Sequence, residues 1–154
     1  MTLILLGIMP ALAIVAGLKD LTSMKIPNWI SGLLVLGFFP VALVVGLDPM
    51  TVAVNLGVAA LALVVGAGMF ALRWIGGGDA KLMAAACLWL GAGGLFCLSL
   101  LFARVHARPY LRGAPGWVVQ LMEPRGDIPY GVAIAAGALM AYPASPLLAA
   151  FIAG

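Results

Sequence analysis

From Met50 to Leu72 the chain runs without a single charged residue. Such a run exceeds the roughly 20 residues needed to cross a hydrocarbon layer about 30 Å thick. Thr2 to Leu18, Ile30 to Leu47 and Gly131 to Ile152 are equally free of charge. These runs are continuously apolar rather than alternating, which argues for helices and against a transmembrane barrel. Composition agrees: the 154 residues are 65% hydrophobic and 8% charged, against roughly 45–50% and about 25% in soluble domains. The expected fold is an all-α integral membrane protein, one domain spanning residues 1–154.

The breaks between runs organise the rest. No Lys or Arg precedes the first run, so it reads as a retained helix rather than a secretory signal, with a kink at Pro10. Lys19 to Asn28 is the first polar connection. Pro27 stops any incoming helix, and Asn28 is a suitable cap for the next. Asp48-Pro49 makes a tight turn before the third span, which ends at Arg73-Trp74. Gly76-Gly77-Gly78-Asp79-Ala80-Lys81 follows, and Asp79 opens a fourth helix reaching Leu90. After Gly91 to Gly94, a fifth helix is expected around Leu95 to Ala103. Arg104 to Asp127 reads as a polar stretch on the membrane surface. Pro129-Tyr130-Gly131 leads into the last span, bent near Pro143 and Pro146.

With six spans, residues 19–28, 73–81 and 104–127 fall on one side, and all eight Lys and Arg lie there. Basic residues mark the cytoplasmic side, so both termini are expected outside. The same bias accounts for the net charge of +3 without a nucleic-acid partner. Cys87 and Cys97 lie in apolar runs and His106 is the single histidine; no metal site or cofactor is implied.

Asp20 and Asp79 thereby reach the same cytoplasmic boundary, Asp20 just past one helix C-terminus and Asp79 at another's N-terminus. Ionisable residues this close to a bilayer are candidates for function. Two carboxylates held together can share a proton, one acting as base toward water and the other as acid toward a peptide. The glycines before Asp79 offer unusual dihedrals and close approach to a substrate backbone. Lys81 is placed to tune the adjacent carboxylate. The alternatives remain open: Asp79 as an ordinary helix cap, Asp20 as a turn residue, and Pro129-Tyr130-Gly131 as a simple helix start or a substrate-lining element.

Three segments in order then resemble the prepilin peptidases, membrane aspartic proteases with a Gly-x-Gly-Asp motif. They are Asp20 with Ile26-Pro27-Asn28, Gly76-Gly77-Gly78-Asp79 with Ala80-Lys81, and Pro129-Tyr130-Gly131. The resemblance implies that Asp20 and Asp79 are the catalytic pair. Their substrate would be a type IV prepilin-like precursor, cut after a short basic leader in the cytoplasmic membrane of a bacterium or archaeon. The chain lacks the cysteine-bearing insertion of longer relatives, so peptidase activity without N-methyltransferase activity is expected. That short form is similar to the enzymes of Flp/Tad pilus systems. The resemblance does not extend to an oligomeric state. The rival from another class is a membrane scaffold or ion-transport subunit with structural aspartates. Presenilin-like proteases share Gly-x-Gly-Asp, but their second aspartate follows tyrosine, whereas Asp20 follows Lys19.

Overall fold

The structure is a computed structural model, and it describes residues 2–23, 25–94 and 130–153. Among these residues all regular structure is helical. The elements are α1 (Thr2–Leu6), α2 (Ile8–Ser23), α3 (Asn28–Val45), α4 (Pro49–Ala71), α5 (Gly77–Leu90) and α6 (Tyr130–Ala141). A 3-10 turn, Tyr142–Ala144, then leads to α7 (Pro146–Ala153). Four stretches are long and apolar enough to cross a membrane: Ile4–Ser23, Asn28–Val45, Pro49–Ala71 and Gly131–Ala153. The expected fifth helix and the 104–127 stretch lie outside the described residues.

The fourth expected span is α5, and its role differs from the others. It has only 14 residues, and every residue from Leu82 to Leu90 is buried. A helix apolar on all sides belongs in the middle of a bundle. α5 packs against α3, α4 and α6, while α4 exposes Leu56, Leu61, Leu63 and Val64. Those outward side chains suit acyl chains, which is where a spanning helix places its surplus apolar surface. α4 and α5 approach closely because Gly66 faces Ala80: a methyl built on Gly66 would lie 3.0 Å from the Ala80 Cβ. On the other side, the Trp89 indole N–H donates to the Leu34 carbonyl at 2.9 Å, tying α5 to α3 inside the core.

The expected kink at Pro10 falls three residues earlier, at the Gly7 break between α1 and α2. Proline has no N–H to offer the carbonyl four residues back, so Leu6 is left with an open acceptor. The Tyr142 hydroxyl fills it, donating to the Leu6 carbonyl at 2.7 Å. The expected bend near Pro143 and Pro146 is present as the 3-10 turn between α6 and α7.

The α3–α4 turn uses paired caps. Gly46 takes a left-handed φ of 71° to close α3, and the Asp48 carboxylate accepts from the Met50 and Thr51 N–H groups at 3.0 and 3.2 Å to open α4. Asn28 does not cap α3 as expected. The helix already includes Asn28, Pro27 holds the capping position with ψ 136°, and no side chain bonds the free N–H groups. The Asn28 amide oxygen is used elsewhere, as described below.

Candidate active site

Asp20 lies inside α2, in its last turn, rather than beyond the helix end as expected. The helix runs on to Ser23 because Thr22 and Ser23 return their hydroxyls to the Leu18 and Lys19 carbonyls, extending it past the apolar run. The Asp20 side chain is buried, with 5% of its surface exposed. Its Oδ2 has no hydrogen-bond partner among the described residues. What holds it is packing along α6. Gly17 faces Ala135, where a Cβ would lie 3.4 Å from the alanine methyl. One turn further along the antiparallel pair, Asp20 meets Gly131: a Cβ there would lie 2.8 Å from Asp20 Oδ2. Residue 131 must therefore be small for the carboxylate to occupy its place.

Asp79 is the third residue of α5, not its cap; Gly76 holds that position. The Gly76 N–H donates to Asp79 Oδ2 at 3.1 Å, satisfying one of the donors a helix start leaves open. Asp79 is also buried, at 9% exposure. It stands ahead of the apolar part of α5 and outside the four candidate spans. Burial and the nearby Asp20 charge push its carboxyl up to about 6, against the opposing pull of the Gly76 N–H. The Asp20 charge thus adds to the effect of burial at Asp79.

The glycines serve close approach rather than unusual dihedrals. Gly76 has φ −74°, and the positive-φ glycines among the described residues are Gly46 and Gly91. Gly77 lies against the Phe70 ring, and Gly78 lies against Ile26, whose Cβ and carbonyl oxygen would each be 3.1 Å from an added methyl. Ile26 also reaches Gly131, where its Cδ1 would sit 2.5 Å from a Cβ. The three sequence segments therefore converge: Ile26 touches the glycine before Asp79 and the glycine beside Asp20. Sequence reading gave Ile26 membership of a motif but no task.

Lys81 does not tune Asp79. Residues two apart point to different faces of a helix, and the Lys81 ammonium donates to Asn28 Oδ1 at 3.0 Å. That bond pins the start of α5 to the start of α3. Of the last segment, Pro129 lies outside the described residues, Tyr130 begins α6, and Gly131 backs Asp20 as described. Cys87 is buried, its thiol directed to the Gly94 carbonyl; Cys97 lies outside the described residues.

The described residues thus form an apolar helical bundle with four candidate membrane spans and two buried aspartates on separate helices. The chain matches the type IV leader peptidase family over residues 7–110, more than half its length, and belongs to that family. The family is one of aspartic peptidases, so the protein is a hydrolase that acts on prepilins in a membrane. No curated protein and no solved structure matches the chain.

Proposed function

We propose that Asp20 and Asp79 are the catalytic dyad of this peptidase, and that its substrate is a Flp-type prepilin. The observation that supports the reading is a pair of buried carboxylates on separate helices, with Asp79 raised by its burial and by the Asp20 charge. With one proton between them, the ionised member draws a proton from water. The protonated member supports the peptide carbonyl and then protonates the departing amine. The site faces the cytoplasm, where the end bearing Lys19, Lys25, Arg73 and Lys81 belongs by charge bias. Six spans, external termini and a single peptidase domain over residues 1–154 without methyltransferase activity complete the proposal. The membrane is the cytoplasmic membrane of a bacterium or archaeon, and the released pilin would enter pilus or secretion-system assembly.

The test is cleavage of a Flp-type prepilin by membranes containing wild type, Asp20→Asn or Asp79→Asn. Asparagine can still accept from the Gly76 N–H, so a mere helix cap would survive the second change. Leader removal by wild type alone establishes both acids. Equal processing by all three variants makes the aspartates structural and restores the scaffold reading.

A further inference from the structure

We infer that Ile26 is a positioning residue whose wedge between Gly78 and Gly131 sets how the Asp20 and Asp79 carboxylates face each other. This deepens the dyad reading and rests on it.

Ile26 sits on the four-residue strap between α2 and α3 and is buried, with 8% of its surface exposed. Pro27 follows it, which keeps Ile26 in the extended region and limits how the strap can slide. The residue has two contact surfaces. Its Cβ and backbone bear on Gly78, directly before Asp79, and its Cδ1 bears on Gly131. Asp20 Oδ2 bears on that same glycine, so the isoleucine tip and the carboxylate divide one small surface. Among the described residues Asp20 Oδ2 has no hydrogen bond to fix it. Removing the Ile26 tip opens space into which Asp20 can turn. Filling Gly131 displaces both occupants. The charged groups on this strap and on the turns of α2 and α5 beside it are, among the described residues, Lys19, Asp20, Lys25, Asp79 and Lys81, the last engaged with Asn28.

The experiment compares wild type, Ile26→Ala, Gly131→Ala and the double variant Ile26→Val/Gly131→Ala, all reconstituted in phospholipid vesicles. Two quantities are measured: steady-state cleavage of a Flp-type prepilin, and labelling of Asp79 by an apolar carbodiimide as a function of pH. Carbodiimide reacts with the protonated carboxyl and requires no substrate. Ile26→Ala is expected to lower kcat by roughly 10–100-fold with KM little changed, the scale of an ångström misplacement of a reacting group. Its Asp79 labelling midpoint should move down toward the ordinary carboxylate range. Gly131→Ala should lose cleavage, and Ile26→Val should restore part of it, because valine lacks the Cδ1 that the new methyl meets. Wild-type kcat and an unmoved midpoint in Ile26→Ala, with only a lower melting temperature, would overturn the wedge and leave Ile26 as ordinary packing. Should wild type cleave no prepilin, the proposed function fails separately, and the labelling midpoints still decide the wedge.

Discussion

Asp79 enters the site on the first turn of one helix, and Asp20 on the last turn of another. The first position favours a carboxylate: the helix dipole presents its positive end, and the Gly76 N–H reaches Asp79 Oδ2. The second position opposes one. The dipole there is negative, and Asp20 Oδ2 is buried without a donor among the described residues. An acceptor left in that condition costs about 1–3 kcal/mol. Local folding rules alone would therefore choose an acid at position 79 and avoid one at position 20. Asp79 has a structural use besides any chemistry, whereas Asp20 has none visible. A group retained at a cost to the fold is where function is most legible.

The strongest way to break this comparison is to neutralise each acid. Asp20→Asn and Asp79→Asn should each lower cleavage by about 10²–10⁴-fold, the usual contribution of a positioned acid or base; a cleavage assay in which either variant keeps wild-type turnover removes that residue from the dyad. Next in size is pH. The Asp79 carboxyl, raised to about 6, holds its proton below that pH and loses it above. Turnover should therefore fall as pH rises through about 6, where the shared proton leaves, and a rate profile flat up to pH 8 would contradict a shared proton. The sign for stability is the same. A raised carboxyl favours the folded state while protonated, so wild type should weaken between the unfolded-chain value of 3.8 and about 6, and Asp79→Asn should flatten that dependence.

Smaller effects separate the two acids structurally. Asp79→Ala removes the acceptor of the Gly76 N–H at the helix start and should destabilise by about 1 kcal/mol. Asp20→Ala should be neutral or stabilising, since it removes an unpartnered buried acceptor. Thermal unfolding of the two alanine variants in one detergent tests this directly, and equal losses would mean that Asp20 has a structural partner after all. Smallest of all, Lys81→Met should change turnover by less than about threefold, the range of an exposed charged contact. A larger loss in the cleavage assay would return Lys81 to the site.

Much of this arrangement was legible in the residues because membranes simplify folding rules. Continuous apolar runs and short polar breaks located α3, α4 and the last span within a residue or two. Gly-Asp ahead of an apolar stretch located the start of α5. The misreadings share one cause, that hydropathy does not report which polar groups bond to which. Thr22 and Ser23 carried α2 beyond its apolar run, so Asp20 lies within the helix. Asn28 bonds Lys81 rather than capping α3. Length alone could not distinguish a lipid-facing helix from a buried one, so hydropathy gave no sign that the bundle encloses α5. The service of Gly131 to Asp20 depends on α2 and α6 packing antiparallel, with Gly17 against Ala135, and no local pattern encodes that register.

The bond from Tyr142 to the Leu6 carbonyl joins positions 136 apart in the chain, and this bears on the order of assembly. The ribosome delivers the first helix long before the last. Until then the carbonyl opened by Pro10 has no protein donor, a condition that lipid does not relieve. The α1–α2 break thus stays unsatisfied until Tyr142 arrives, and its hydroxyl gives the turn after α6 a specific place to dock.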